Sequence, residues 1–217
     1  MKKALVSIVL VLIALVSFSQ YNSDYMTIMV KQKKAMRMAT TVPALQDLAN
    51  NFERISNAES DKWHPLYYAA FCYVQMSFLS KDAAEKDEFL DKAQQFLDKG
   101  ILIYPDESEL FVLQGLLYQG RLQVDPAARG KEYLILAGEA LNKAMSYNSE
   151  NPRAYYLTGL NLFYTPESFG GGAEAACPYY QTAIEKFAEN VPEHVLSPTW
   201  GGEENHKRFN KYCSDID

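Results

Sequence analysis

The sequence predicts an all-α protein, an α-α superhelix of antiparallel helix pairs, on three observations. Long amphipathic runs are separated by proline, glycine, asparagine and aspartate, and few segments alternate as a strand does. One motif, Phe111-x-x-Gln114-Gly115-x-x-Tyr118, returns 44 residues later as Tyr155-x-x-Thr158-Gly159-x-x-Leu162. A ladder of small and bulky residues at helical spacing follows each copy, and paired helices need such ladders in order to stack.

The first nineteen residues have the features of a secretory signal. Lys2 and Lys3 precede an apolar run from Ala4 to Val16, and Ser17-Phe18-Ser19 offers small residues at a cleavage site. The alternative is a transmembrane anchor, which needs about 20 apolar residues, whereas this run has thirteen. We therefore expect cleavage after Ser19 and an exported protein, periplasmic or secreted, without stable membrane insertion.

The charge balance argues against nucleic acid and against anionic membrane surfaces as partners. Residues 20–217 contain 19 basic and 27 acidic side chains, and the basic ones form no cluster. The 198 residues are enough for one domain with a sizeable core. The acidic surface is interpreted as an aid to solubility.

Three cysteines, Cys72, Cys177 and Cys213, leave at least one thiol without an intramolecular partner. Cys72 lies in an apolar helix and is expected to be buried packing. If a disulfide forms, we expect it between Cys177 and Cys213, with a C-terminal helix folded back on the last repeat. The alternative is three buried free thiols.

The first predicted unit, residues 20–61, is a helix pair and a possible degenerate repeat. Met26–Met38 forms its first helix, with Lys33 and its basic neighbours on the polar face. Thr41-Val42-Pro43 ends that helix, because proline is tolerated at a helix start but not inside one. Ala44–Ser56 forms the second helix.

Residues 62–190 are predicted to form three helix pairs. Trp63–Leu79 is almost continuously apolar, which indicates burial on most sides. Asp82 and Glu85 have the spacing of a capping box before the next helix. We expect Pro178 to kink the last helix or to delay its regular start. The remaining predicted helices are Asp82 to about Ile103, Ser108–Gly120, Lys131–Tyr147, Pro152–Tyr164 and, after the elbow Gly170-Gly171-Gly172, Ala173–Ala188.

Residues 191–217 are predicted to be a tail with a capping helix from about Glu203 to Cys213. Trp200 stands among turn-forming residues in Pro198-Thr199-Trp200-Gly201-Gly202. We interpret this tryptophan as a plug on the last helix pair, since terminal repeats need capping. The alternative is a surface anchor.

At the repeated motif the chain resembles the tetratricopeptide repeat family. That pattern has an aromatic, a glycine and a tyrosine on the first helix, then Ala-x-x-x-Phe-x-x-Ala on the second. The matching residues are Tyr155, Gly159, Ala176, Tyr180 and Ala183 in the third unit, Phe111, Gly115, Tyr118, Ala137, Leu141 and Ala144 in the second, and Ala70, Tyr73, Ala93, Gly100 and Pro105 in the first. The units recur after 45 and 44 residues, longer than the roughly 34 residues of the family, so each pair has longer helices or a larger turn.

The resemblance implies a concave groove lined by the first helix of each pair. Aromatic groups with a few polar ends suit an extended peptide or a helix laid in a groove. The alternative is that terminal helices cover this face and that its aromatic residues are core. The family's groove positions correspond here to His64, Tyr67, Phe71, Gln75, Glu109, Gln119, Arg153, Tyr156 and Tyr164.

No residue set predicts catalysis, a metal site or a cofactor. Glu203-x-x-His206 lacks the second pair that a metal site would need, and Cys213 with His206 is a weak nucleophile arrangement on a terminal helix. The three glycines at 170–172 lack the lysine and serine or threonine of a P-loop. We therefore predict a non-enzymatic scaffold of the tetratricopeptide type that binds a protein or peptide. The alternative is an accessory component of envelope transport or assembly that holds a small ligand.

Overall fold

A computed structural model describes residues 24–214, and this part of the chain contains helices and turns but no strand. The all-α class is thereby confirmed, whereas the predicted signal at residues 1–19 lies outside the described residues. Helix α1 covers residues 24–36. The later helices are α2 (Val42–Ala58), α3 (Trp63–Leu79), α4 (Ala83–Ile103), α5 (Ser108–Val124), α6 (Pro126–Tyr147), α7 (Pro152–Tyr164), α8 (Ala173–Glu189) and α9 (Gly202–Tyr212).

Side-chain caps fix most of the helix starts. The Asp82 carboxylate accepts from the Glu85 amide, as predicted, but the Glu85 carboxylate turns to the Ser80 hydroxyl instead of closing the capping box. Asn151 caps α7 through the Arg153 amide, with proline in the first turn. These caps satisfy amide groups that have no partner inside a helix.

The predicted start of α6 was wrong, whereas α8 starts at the predicted Ala173. Helix α6 starts at Pro126, not at Lys131, because the Asp125 carboxylate caps the Ala128 amide and leaves Asp125 as the whole connection. Helix α8 is regular from Ala173 with Pro178 inside it, so this proline does not delay the start.

The helices form a repeating two-layer arrangement. Each helix from α2 onward contacts the next one, and α5 also contacts both α3 and α7. Among the described residues α4 and α6 make no such contact with each other, so they lie outside the layer of α3, α5 and α7. Helix α9 contacts both α7 and α8, which places it as the next member of this inner layer.

The small residues of the repeated motif lie where the two helices of a pair approach most closely. A Cβ atom on Gly115 would lie 2.8 Å from Leu141, and one on Gly159 would lie 2.7 Å from the ring of Tyr180. Leu141 and Tyr180 hold the same position in their two ladders. The motif therefore marks the positions where two helices are in close contact, as the pattern predicted.

Cys177 and Cys213 form a disulfide that ties α9 to α8, and Cys72 is buried with a free thiol. Burial also raises the pKa of the Cys72 thiol. Within residues 24–214, no helix joins the length and the apolar composition that a bilayer crossing would require.

Candidate functional site

A segment between α8 and α9, residues 190–200, lies over the inner layer, and we call it the strap. The Tyr68 hydroxyl of α3 donates to the Leu196 carbonyl at 2.6 Å, and the Leu196 side chain is fully buried. The Trp200 indole donates to the Tyr67 hydroxyl at 2.8 Å, and its ring stacks on Phe71 at 5.5 Å between centroids. The predicted plug therefore reaches α3, in the first of the three pairs.

Helix α1 holds the strap through a buried lysine. Lys33 is 9% exposed, and its ammonium donates to the carbonyls of Val195 at 2.8 Å and Ser197 at 2.5 Å. Its placement on a polar, solvent-facing side was thus wrong, because the strap covers that side of α1. Burial, with Arg37 and Arg153 nearby, lowers the pKa of Lys33 to about 8.

Two histidines meet where the strap leaves α8. The ring centroids of His64 on α3 and His194 on the strap are 5.3 Å apart, and Trp63 stacks on His64 at 4.0 Å. The Nδ1 atom of His194 accepts from the Leu196 amide at 3.1 Å. Burial, with His194 and Lys33 as neighbours, lowers the pKa of His64 to about 4.

On one side of the strap is a cavity of about 520 Å³ that we call the aromatic cavity. It lies between the inner layer and the start of α9, and Trp200 forms part of its wall. Its lining residues with polar groups are three glutamines, one glutamate, Tyr156 and Trp200, and no lysine, arginine or histidine lines it. The lining residues are Phe71, Gln75, Phe78, Leu116, Gln119, Gln123, Tyr156, Leu160, Trp200, Gly201 and Glu204.

On the other side is a cavity of about 690 Å³ that we call the charged cavity. Five carboxylates line it, at Glu107, Glu109, Glu150, Glu189 and Glu193, together with the two histidines. Its two cations are already paired, Arg153 with Glu109 at 2.6 Å and Lys186 with Glu150 at 2.9 Å. Burial, with Glu109 and Glu193 nearby, raises the pKa of Glu107.

The strap separates seven of the nine predicted groove positions into these two cavities. Phe71, Gln75, Gln119 and Tyr156 line the aromatic cavity. His64, Glu109 and Arg153 line the charged cavity, and Tyr67 lies fully buried under Trp200. Tyr164 lines neither cavity; it is 59% exposed and lies beside the Arg208 guanidinium.

Sequence reasoning did not identify the residues that the strap and α9 bring to the site. The sequence pointed to Trp200 as a cap on the last helix pair, whereas in the structure Trp200 forms part of the cavity wall. Gly201 and Glu204 had no motif that pointed to the groove, since their position depends on the path of the strap. Gln123 lies one turn beyond Gln119 on α5, so helical spacing alone would have found it.

The aromatic cavity has the chemistry of a small-molecule site. Such sites are mostly apolar, enclose about 300–1,000 Å³ and carry a few placed polar groups. Within residues 24–214, no cluster of three or more histidine, cysteine, aspartate or glutamate side chains has the arrangement of a metal site.

The chain is similar to a solved structure over most of its length. The HusA haemophore from Porphyromonas gingivalis superposes with a TM-score of 0.81 and 27% sequence identity, over 89% of this chain and 94% of that chain. No protein-family model matches the chain, and the search of curated proteins finds no match. The comparison supports an all-helical binding protein of similar extent.

Proposed function

We propose that this chain is an exported, non-enzymatic binding protein whose aromatic cavity holds haem or a closely related planar ligand. The observation that carries the proposal is the cavity itself, an apolar space of about 520 Å³ walled by Phe71, Tyr156 and Trp200. The likeness to a haemophore over most of both chains supports this ligand class.

A flat, largely apolar macrocycle suits these walls. Aromatic rings of the protein gain by stacking against an aromatic ligand and by removing its faces from water. The two carboxylates of haem have no cation among the lining residues, and Glu204 is a carboxylate of like charge. We therefore expect the macrocycle to enter the cavity and its carboxylates to point to solvent.

The charged cavity suits this ligand less well, although it contains His64 and His194. Its surplus of carboxylates would repel an anionic ligand, and charge repulsion between desolvated groups costs free energy. The histidines are better explained by their contacts with the strap.

The test is a spectroscopic titration of the full-length exported protein with haem. We expect saturable binding by the wild type. Gln75→Trp places a large ring in the aromatic cavity from a half-buried position and should weaken binding at least tenfold. The matched control is Tyr164→Trp, which adds an indole at an exposed position outside the cavity and should change affinity less than twofold.

Equal loss in both variants, or none in either, would count against the aromatic cavity as the binding site. Absence of saturable haem binding by the wild type would count against haem itself. Circular dichroism melting of both variants checks that each is folded.

A second candidate is peptide binding in a groove of the tetratricopeptide type, and the strap favours it. The strap is a short segment without regular secondary structure, and its backbone carbonyls accept hydrogen bonds from Lys33 and Tyr68, as a bound peptide's would. In this hypothesis the pairs in residues 62–190 are divergent tetratricopeptide-like units, with residues 20–61 as a degenerate pair and 191–217 as the cap.

The two candidates differ in what occupies the cavity in the cell envelope. A photo-crosslinking residue at position 75 should form a protein adduct if a peptide binds there, whereas position 164 should not. A small molecule that co-purifies in native mass spectrometry, without a site-dependent protein adduct, supports haem-type binding. That outcome also suits an accessory component of envelope transport.

A further inference from the structure

The strap has the attachments of a lid. It is joined to α9 at Gly201, whose φ of 100° lies in the left-handed region that favours glycine. A Cβ there would come within 3.2–3.5 Å of Phe187, Tyr156 and Arg153, so this point is closely packed. The strap is held by the buried side chains of Leu196 and Pro198, by the stacking of Trp200 on Phe71 and by a short series of hydrogen bonds.

Those hydrogen bonds depend on a neutral imidazole. The Leu196 amide donates to Nδ1 of His194, so this nitrogen must carry no proton. The His194 amide and carbonyl close the same turn with Ser197. This turn presents the carbonyl oxygens of Val195 and Ser197 to the Lys33 ammonium.

His64 lies beneath the strap in surroundings that disfavour a second positive charge. The Lys33 ammonium of α1 lies near the His64 ring, with Arg37 beyond it. His194 of the strap and Trp63 contact the ring itself. The same cavity also contains Arg153 of α7 and the carboxylates Glu107, Glu109 and Glu193. Glu109 is paired with Arg153 and Glu150 with Lys186, which leaves Glu107, Glu189 and Glu193 as the partly compensating charges of the cavity.

We infer that the strap is a proton-sensitive lid: protonation of His64, which lies against His194 of the strap, releases residues 190–200 from the inner layer and opens the aromatic cavity, of which Trp200 is a wall. One consequence, that ligand bound near neutral pH leaves in acid, rests on the proposed function. The movement of the strap itself does not depend on that function.

The sign and size of the effect follow from linkage. The pKa of His64 is about 4 with the strap closed, and exposure to solvent would return it to its ordinary value of about 6.5. The open form then binds more protons between pH 6.5 and 4, so closure weakens as the pH falls through that window. Between pH 7.5 and pH 5 the ratio of open to closed strap should rise about thirtyfold.

The test is amide hydrogen exchange of the ligand-free, full-length exported protein at pH 7.5 and pH 5.0. Each rate is divided by that of the unfolded chain at the same pH, and a peptide from α5 serves as the internal reference. We expect protection of residues 190–200 to fall at least tenfold at pH 5.0, while that of α5 changes less than twofold. The His64→Gln and His194→Gln variants should each reduce the fall, and the double variant should remove most of it.

The matched control is His206→Gln, which removes the third histidine from an exposed position on α9 and should behave as the wild type. A strap whose protection does not change with pH, or changes equally in the double variant, would overturn the inference. If His64→Gln does not fold, His194→Gln still decides, because it changes an exposed residue on the strap.

A separate measurement tests whether opening of the lid releases the ligand. Acidification from pH 7.5 to pH 5.0 should speed haem transfer from the wild type to apomyoglobin. This acceleration should be at least tenfold larger than the acceleration measured for the double histidine variant. If the protein binds no haem, the proposed function fails while hydrogen exchange still tests the lid. If haem binds at the aromatic cavity but the strap does not respond to pH, the lid fails alone.

Discussion

Gly159 shows how closely the paired helices approach, because the ring of Tyr180 occupies the space that a side chain would need. Alanine at this position would normally stabilise a helix by about 1 kcal/mol relative to glycine. Here the added Cβ would lie 2.7 Å from that ring, and such overpacking costs about 1–3 kcal/mol. We expect Gly159→Ala to lower the free energy of unfolding by about 1–2 kcal/mol in urea denaturation.

Gly130 provides the matched control, since it lies in a helix with no atom within 4 Å of an added Cβ. Gly130→Ala should leave stability unchanged or raise it by up to about 1 kcal/mol. A Gly159→Ala variant as stable as Gly130→Ala would show that Tyr180 moves aside freely.

Single residues differ in how far the sequence could predict them. Gly115 and Gly159 repeat with their partners Leu141 and Tyr180 at matching positions, so helical spacing was enough to predict that the helices approach closely there. Lys33 could not be predicted to lie under the strap. Its helix has a basic face, and only the path of a segment more than 160 residues later buries one of those lysines.

At the scale of elements, a buried ion pair joins α5 to α7. Arg153 Nε donates to Glu109 Oε1 at 2.9 Å, and the Asn151 side chain donates to the same carboxylate at 2.8 Å. Removing one partner of a buried pair leaves an uncompensated charge, which costs about 3–5 kcal/mol. We expect Glu109→Gln to lower the free energy of unfolding by about 3 kcal/mol.

The control for this prediction is the exposed pair of Glu203 and Lys207 on α9, with side chains 76% and 70% exposed. Exposed pairs are screened by water and salt, so Glu203→Gln should cause no measurable change. Replacing both buried partners, in Glu109→Leu with Arg153→Met, should recover most of the loss. If this double variant is less stable than Glu109→Gln, the pair contributes more than charge compensation.

The helices themselves were largely predictable, because prolines and caps mark their starts. The missed start of α6 had a signal, since Asp125-Pro126 is a capping residue followed by proline at the first helical position. The prediction instead assigned these residues to a loop before Lys131. The division of residues 62–190 into three tetratricopeptide-like units stays a prediction.

For the whole molecule, the Cys177–Cys213 disulfide closes a loop that contains the strap and α9. The two cysteines are 36 residues apart, and a loop of this length gives about 3–4 kcal/mol in the chain-entropy description. We expect the Cys177→Ser, Cys213→Ser variant to lose about 3 kcal/mol of unfolding free energy. Reductant should lower the melting temperature of the wild type but not of this variant.

Cys72→Ala is the matched control, because it removes the buried free thiol and keeps the disulfide. Its melting temperature should still fall on reduction. A variant without the disulfide that melts like the wild type would indicate that contacts of α9 with α7 and α8 are sufficient by themselves.

The site was less predictable than the fold, for a physical reason. Helical periodicity indicates which residues share a face, and four of the nine predicted positions do line one cavity. Periodicity contains no information on where a connection without regular structure will lie. Trp200, His194 and Leu196 reach the inner layer through tertiary contacts with Tyr67, His64 and Tyr68, which lie far away in sequence.

The disulfide also limits the size of what can pass beneath the strap. Residues 190–201 are anchored at α8 on one side and, through α9 and the bond to Cys177, on the other. Twelve extended residues span at most about 40 Å, so a fully raised strap makes an arch with a fixed contour length and a rise of less than about 20 Å. Such an arch admits a flat molecule or a single extended chain edge-on, but it is too low for a folded domain.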